Sequence, residues 1–315
     1  MLKKNVLRDL DNLGYCINNE TIHNKDSGRK FDLSFERNAL SELKILVQRY
    51  VHAVLIEELG MDVLPLGSEE LRGSALCTEN FHEKTCAMIL INCSRSCSAG
   101  VWSLNSIIKN SLVEGSQIPY IKDAIRNELA VLTVSKNMEE IWEKFIEPSC
   151  MKSIAIVAHW EYPGGNAALK FMEKESAKEL IKKVALINSQ HSSVRWMENW
   201  KARDFAMENC RHWIPSSSQA GVGIANCQVE AAETSDTELV CSVSRQSVLT
   251  FVMKMAKESG TKCMATTNYV KQSDVERSME KVRAFSRKIE EGGKNISSRN
   301  DPSCEQNTEQ HTPRR

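Results

Sequence analysis

The chain has 315 residues, with 41 basic and 41 acidic side chains, and no apolar run approaches the roughly 18 residues that a membrane span requires. The balanced charge excludes a global field that would steer the protein onto nucleic acid or anionic membrane. Eleven scattered cysteines indicate reduced core thiols rather than a disulfide framework, and with no Cys-x-x-Cys pair we expect neither metal nor cofactor.

The N-terminal part of the chain predicts a hairpin followed by a long helix. Residues 1–35 mix short apolar positions with turn formers, as expected for a hairpin extension ahead of the main domain. Over residues 38–59 apolar side chains recur at three- and four-residue steps, and Gly60 supplies a C-terminal stop, which predicts an amphipathic helix. Residues 61–84 predict a connecting loop with an edge strand.

Four short apolar runs have the composition of strands covered on both faces of a parallel sheet. They occupy residues 87–91, 129–134, 154–158 and 184–187. Helical patterns separate them at residues 120–127, 138–146 and 166–183. This alternation predicts an α/β fold with a doubly wound, mostly parallel sheet.

The last third of the chain predicts less regular structure. Aromatic residues at helical spacing predict a helix packed on the sheet, namely Trp196, Trp200, Phe205 and Trp213. Residues 214–236 predict a loop, and residues 239–257 a final strand or helix. Polar and charged residues dominate 271–315, which predicts a helical-to-disordered tail after one domain at residues 36–270.

One segment predicts a catalytic scaffold without its reactive group. Residues 153–172 have the pattern of a buried strand, a sharp turn and a helix, which is how an α/β-hydrolase presents its nucleophile. The turn keeps the small pair Gly164 and Gly165 that such an elbow requires. Its tip, however, contains no Ser, Cys or Asp and consists of Trp160, Glu161, Tyr162 and Pro163.

Six stretches share their order and spacing with one protein family. They are LGY at 13–15, RYVHAVL at 49–55, AGVWSLNSIIKNSLVEGSQIPYIKDAI at 99–125, IVAH at 156–159, VALINSQH at 184–191 and MENCRHWIPSS at 207–217. Together they resemble the Argonaute-binding (Arb-type) domain family, in its animal branch of cotranscriptional regulators. The resemblance implies an α/β-hydrolase-like fold over most of the chain.

Some members of that family keep a hydrolase-like trio of Ser, Asp and His, and this chain departs at each position. The resemblance places Trp160 and Glu161 at the elbow in place of Ser, Asn188 at the acidic position, and Thr237 at the late His position. An amide cannot stabilise an imidazolium as a carboxylate does. The resemblance therefore predicts a pseudoenzyme.

The loop after the first apolar run differs as well. Relatives have a glycine-rich loop there, whereas this chain has Asn92, Cys93 and Ser94, without the glycines that let backbone amides approach an oxyanion. We interpret these three residues, with His159 and His191, as remnants of a pocket. Other chemistry stays open: Glu161 with His191 as an acid-base pair, or Cys93 as a nucleophile. Solvated or hydrogen-bonded roles are favoured for all of them.

By this resemblance the chain is predicted to be a non-catalytic nuclear adaptor in Argonaute-linked and small-RNA-linked gene regulation, through siRNA binding, heterochromatin formation or control of alternative splicing. The implied partners are an Argonaute protein and chromatin or splicing factors, and no membrane. Direct contact with small RNA has no support from charge, since Lys and Glu alternate along residues 170–183 as on a solvated helix. The alternatives are an esterase-type serine hydrolase with relocated residues and a degraded gene copy.

Overall fold

An eight-stranded β-sheet organises the computed structural model. The structure describes the chain at residues 1–32, 37–65, 75–92, 97–136, 138–159, 175–188, 205, 208–218 and 229–255. These residues all belong to one compact unit within residues 1–265. The predicted tail at residues 271–315 lies outside the described residues.

Eight strands form the main sheet, in the order β3-β4-β6-β5-β7-β8-β9-β10. They are β3 (Met61–Val63), β4 (Ala75–Thr78), β5 (Cys86–Asn92), β6 (Ala130–Val134), β7 (Ser153–His159), β8 (Ile181–Ile187), β9 (Cys210–Ile214) and β10 (Val229–Ala231). Strand β4 runs antiparallel to both of its neighbours, and the other pairs from β6 to β10 are parallel. This order, with the second strand reversed, is that of an α/β-hydrolase, so the predicted fold class is confirmed.

Helices cover both faces of the sheet. In chain order they are α1 (Leu2–Asn12), α2 (Leu40–Glu57), α3 (Leu104–Lys109), α4 (Leu112–Gly115), α5 (Ile118–Arg126), α6 (Met138–Ile141), α7 (Glu175–Leu180), α8 (Val240–Val243) and α9 (Arg245–Val252). A π-helical turn at Trp142–Ile146 continues α6, and short 3-10 turns occur at Arg37–Ala39 and Phe81–Glu83. The predicted helix at residues 38–59 corresponds to α2.

The core lies in two layers because side chains of a strand alternate between the faces of its sheet. In β5, Met88 and Leu90 join the apolar cluster under α1 to α5, α8 and α9, while Ile89 and Ile91 join the cluster under α6 and α7. Each fully buried Leu, Ile or Met contributes about 1.5–3 kcal/mol relative to exposure. A strand buried on both faces must therefore be continuously apolar, which explains why the apolar runs predicted β5 to β8.

A hairpin of β1 (Tyr15–Asn18) and β2 (Thr21–Asn24) stands where residues 1–35 predicted one. The sequence pattern did not predict α1, which precedes it. Val6 and Leu10 of α1 are buried in the same cluster as α2. The Leu112 amide also donates to the carbonyl of Glu20 at 2.8 Å, and this hydrogen bond links the turn between β1 and β2 to the start of α4.

The predicted helix at residues 166–183 is wrong at its C-terminal end, because β8 begins at residue 181. Its residues 166–174 lie outside the described residues. Lys183 in β8 donates from Nζ to Asn209 Oδ1 at 2.8 Å, and the ammonium lies 5.8 Å from the ring centroid of Phe251. A lysine can occupy a sheet position when its stem packs and its charge keeps partners.

The aromatic helix predicted before residue 214 is wrong at Trp213, which lies in β9 with its side chain fully buried. Its Nε1 donates to Ser247 Oγ at 3.1 Å, which satisfies the indole inside the core. Trp196 and Trp200 lie outside the described residues. The short strand β10 also lies within residues 214–236, which the sequence predicted as a loop.

Two glycines shape the loop that enters α3. Gly100 has φ +88°, a conformation that favours glycine, and a Cβ at this position would collide with Leu55. The Gly115 carbonyl accepts the amides of Trp102 and Ser103 at 2.8 and 2.9 Å. A Cβ on Gly115 would collide with the backbone nitrogen of Ile107 and lie 2.5 Å from the carbonyl oxygen of Ser103.

We expect Gly115→Ala to lower the free energy of unfolding by about 3 kcal/mol or more, because the added methyl group meets backbone that cannot rotate away. The matched control is Gly60→Ala, since Gly60 has φ +62° but no heavy atom within 4 Å of an added Cβ. That control should lose only about 1 kcal/mol. Urea denaturation of both variants measures the difference, and equal losses would contradict the close packing at Gly115.

Candidate functional site

A cavity of about 90 Å³ opens at the carboxyl ends of the parallel strands. His159 is the last residue of β7, and Asn188 follows β8 directly, so both reach the same edge of the sheet. Both line the cavity, together with Thr237 from the loop between β10 and α8. Ligands of open α/β sheets bind at this edge. The structure thus brings together three of the residues that the sequence singled out.

His159 is 7% exposed, and neither ring nitrogen has a hydrogen-bond partner among the described residues. Its ring contacts Trp102 edge to face, with the centroids 5.9 Å apart and the planes at 71°. Burial lowers the pKa of His159 to about 4, because the imidazolium loses its hydration. The side chain is therefore neutral at physiological pH.

Asn188 adopts a left-handed backbone conformation, with φ 49°. Its amide nitrogen donates to the carbonyl of Trp213 at 2.7 Å, so the turn after β8 is fixed against β9. Asparagine tolerates this conformation better than most residues. Asn188 thus adds a neutral residue to the lining of the cavity.

Thr237 is exposed at the mouth of the cavity, and its neighbours hold the loop in place. The Glu238 amide donates to Asp236 Oδ1 at 2.9 Å, and the Glu238 carbonyl accepts from Ser106 Oγ at 3.3 Å. Asn105 Nδ2 donates to Glu238 Oε1 at 3.2 Å. The loop is thus tied to α3, which sets the distance between Thr237 and the strand ends.

Asn92 ends β5 and is completely buried. Its Nδ2 donates to the carbonyl oxygens of Val101 and Trp102, the latter at 3.0 Å. These bonds hold the loop that carries Trp102 toward the cavity. We therefore assign Asn92 a structural role. It is not among the residues that line the cavity, although the sequence predicted it as a remnant of a pocket.

The remaining predicted site residues, Trp160, Glu161, Cys93, Ser94 and His191, lie outside the described residues. Sequence reasoning missed the other residues that line the cavity, among them a lysine and a tryptophan. Lys44 comes from α2, and Trp102 precedes α3. Trp102 lies in a stretch that carried the family resemblance, which is the signal that could have identified it. Lys44 has no local signal, because it sits in an ordinary amphipathic helix.

Among the described residues the arrangement offers hydrogen-bonding groups, and no carboxylate among them is hydrogen-bonded to the His159 ring. A hydrolase histidine needs a carboxylate that orients the ring and stabilises its imidazolium form. Asn188 presents an amide beside a neutral His159. Among the described residues, no group of three or more His, Cys, Asp or Glu side chains could hold a metal ion. None of the described helices is long and apolar enough to cross a membrane.

Comparison with known families bears on the first half of the chain. Residues 7–141 match the family described as the Arb2 domain. The match includes Lys44, Asn92 and Trp102, whereas His159, Asn188 and Thr237 lie beyond it. The resemblance to an Arb-type family is confirmed.

Several proteins are similar to this chain. A FAM172 family protein homolog from Caenorhabditis elegans is 32% identical over 130 residues, covering 36% of this chain and 41% of the relative. A protein named cotranscriptional regulator ARB2A homolog from Xenopus tropicalis is 22% identical over 268 residues, covering 60% and 63%. The homolog of the same name in Dictyostelium discoideum is 21% identical over 236 residues, covering 56% and 61%. The chain thus spans about two fifths to three fifths of the length of these relatives.

The solved structure of a histone deacetylase from Saccharomyces cerevisiae is also similar to this chain, with a TM-score of 0.50 and 15% identity. The similarity covers 68% of this chain and 98% of that one. At this identity the likeness concerns the fold alone, and it supports the α/β assignment.

The stability of the fold should fall on acidification from pH 6.5 to pH 4 through His159. In this window the unfolded chain protonates the imidazole and the folded chain does not, so protonation favours unfolding. Across this window the free energy of unfolding should fall by about 3 kcal/mol because of His159. His159→Gln should reduce the loss of unfolding free energy between pH 7 and pH 4 by about that amount. Urea titrations of both proteins test this, and parallel pH profiles would contradict the unpartnered, buried ring.

Proposed function

We propose that the protein is a non-catalytic adaptor of nuclear gene regulation built on an α/β-hydrolase scaffold. The observation that carries the proposal is the cavity where His159, Asn188 and Thr237 meet. The resemblance assigns the acidic role to the position of Asn188 and the late imidazole to that of Thr237. An amide and a hydroxyl can neither stabilise an imidazolium nor accept the nucleophile's proton in the way the triad requires.

The loss of reaction rate expected without a complete triad supports the proposal of an inert site. Removing one member of a catalytic triad costs about four to six powers of ten in rate, and what remains comes from binding and the oxyanion hole. A typical enzyme turns over about ten times per second. The same chemistry without a relay would take from about a quarter of an hour to about a day per turnover, which is too slow to be useful to a cell.

The regulatory role is proposed from the relatives. Two of them are named cotranscriptional regulators, and we extend that role, with nuclear localisation, to this chain. The family resemblance further supports an Argonaute protein and chromatin or splicing factors as partners, in small-RNA-linked silencing or alternative splicing. An adaptor needs a rigid surface rather than a reactive centre, and the two-layered core provides the rigidity.

We propose that partners are bound through protein surfaces rather than through RNA. Several described surface cations are already paired with carboxylates, which leaves them less available to phosphates. Arg49 lies 3.1 Å from Asp9, and Lys144 lies 2.7 Å from Glu140. Exposed pairs of this kind contribute little stability, but they reduce the local positive potential on which RNA affinity depends.

A fluorophosphonate probe should leave every serine of the purified protein unlabelled, because no relay activates a serine hydroxyl. An active serine hydrolase, labelled under the same conditions, provides the positive control. Intact-mass spectrometry followed by peptide mapping measures the labelling. A stoichiometric adduct on one serine would favour the esterase alternative and end the proposal of an inert site.

Affinity purification of the full chain from nuclear extract should recover an Argonaute protein together with chromatin or splicing factors. The recovery should be equal with and without RNase, because the proposed contacts are between proteins. Loss of Argonaute after RNase treatment would show that RNA tethers the complex. Absence of all three classes in both arms would contradict the adaptor role.

A further inference from the structure

Two cations stand side by side on the face of the sheet that α9 covers, toward the amino ends of the strands. Strands β8 and β9 are parallel with Ala185 opposite Arg211, so Lys183 stands two residues before the partner of Arg211 and on the same face. Neighbouring strands are about 4.8 Å apart and two residues rise about 6.6 Å, which places the two Cα atoms about 8 Å apart. The two side chains therefore start close enough to share one small ligand.

Both cations reach the same aromatic ring. Lys183 Nζ lies 5.8 Å and Arg211 Cζ lies 5.5 Å from the centroid of the Phe251 ring. Phe251 is buried in α9, so its ring is a fixed wall that attracts both cations. A third cation, Lys254, is exposed and follows Phe251 by three residues, and helical backbone angles at Met253 keep the two on one side of the chain. Three cations therefore gather around one buried ring.

Most donors of Lys183 and Arg211 are left for a ligand. Lys183 Nζ donates to Asn209 Oδ1 at 2.8 Å, and this neutral acceptor leaves the ammonium charge uncompensated. Arg211 Nη1 donates to the Cys210 carbonyl at 2.8 Å, and its Nε lies 3.8 Å from Glu230 Oε1, beyond hydrogen-bond distance. An ammonium group has three N–H donors and a guanidinium five. Both groups are accessible, since the Arg211 side chain is 27% exposed and Lys183 is half-buried.

The charge of the cluster is complementary to a dianion. Among the described residues, Glu230 is the one carboxylate paired with these cations, through Arg211 and through the weaker attraction of Lys254. Three cations and one carboxylate leave two positive charges. Glu230 belongs to β10, whereas Lys183 belongs to β8 on the opposite side of β9. An anion between Lys183 and Arg211 therefore lies away from the carboxylate.

The net charge and the compactness of the cluster favour one kind of anion. A phosphate monoester carries nearly two negative charges at neutral pH and has three acceptor oxygens. Each phosphodiester of RNA carries a single charge, and RNA gains its affinity from a track of many cations. An arginine fork beside further cations is the arrangement by which proteins recognise phosphorylated segments of their partners. The cluster therefore suits a phosphorylated protein segment better than RNA.

We propose that Lys183, Arg211 and Lys254 form a binding site for phosphoserine in a partner protein. The phosphate lies between the Lys183 ammonium and the Arg211 guanidinium, with Lys254 at the rim and the Phe251 ring behind them. The inference rests on the proposed adaptor function and deepens it, since it names the chemistry by which one partner is held. A kinase and a phosphatase that act on the partner would then switch its attachment.

Titration of the purified full chain with the peptide acetyl-Gly-Gly-phosphoserine-Gly-Gly-amide tests the site, with the ³¹P NMR shift of the phosphate measured at neutral pH and constant ionic strength. We expect saturable binding that Arg211→Gln and Lys183→Gln each weaken by at least about tenfold, because each removes a charged donor. The matched control is Lys182→Gln, which should leave the affinity unchanged. Lys182 Nζ donates to the Glu179 carbonyl in α7, which covers the other face of the sheet. A cooperative urea transition shows that each variant is folded.

Absence of a saturable shift in the wild-type protein would overturn the proposal, and so would equal affinities of wild type, Arg211→Gln and Lys183→Gln. Tighter binding of inorganic phosphate than of the peptide would contradict a protein ligand, and tighter binding of oligouridylate would assign the cluster to RNA instead. The outcome is separable from the proposed function. Loss of peptide binding would leave the recovery of partners from nuclear extract unchanged, and failure of that recovery would leave the affinity for the peptide unchanged.

Discussion

Burial of the parallel strands on both faces is the constraint on which the rest of the structure depends. Strands β5 to β8 have no solvated face, so they must be apolar at nearly every position and covered by helices on either side. Polar side chains within these strands are then few, and most stand at the ends of the strands. Because parallel strands end at one edge, His159 at the end of β7 and Asn188 after β8 both line the cavity there.

This constraint explains which parts of the fold the sequence could predict. Continuous apolar runs identified four central strands, because both faces of each strand carry the same signal. Lys183 and Trp213 were placed in helices, since each has a partner from a distant segment that no local pattern reveals: Asn209 for the lysine and Ser247 for the indole. The edge strand β10, only three residues long, has too few positions to carry a periodic signal.

Only part of the candidate site could be predicted, and family resemblance rather than an apolar pattern identified that part. His159, Asn188 and Thr237 were singled out by family resemblance, and the fold places all three at one cavity. Lys44 was not predicted, because nothing in an amphipathic helix indicates that one of its lysines lines a cavity beneath a distant loop. Asn92, interpreted from the sequence as a pocket remnant, instead holds that loop through two carbonyls. The places of Lys44 and Asn92 therefore depend on contacts with residues far away in the sequence, which no local pattern indicates.

The edge where the strands end carries a cost in stability, because the side-chain nitrogens of Trp102 and His159 are buried there without a hydrogen-bond partner among the described residues. Each buried polar group without a partner costs about 1–3 kcal/mol, and a domain's net stability is only about 5–15 kcal/mol. Trp102 and His159 together therefore impose a cost that replacement by apolar side chains would remove.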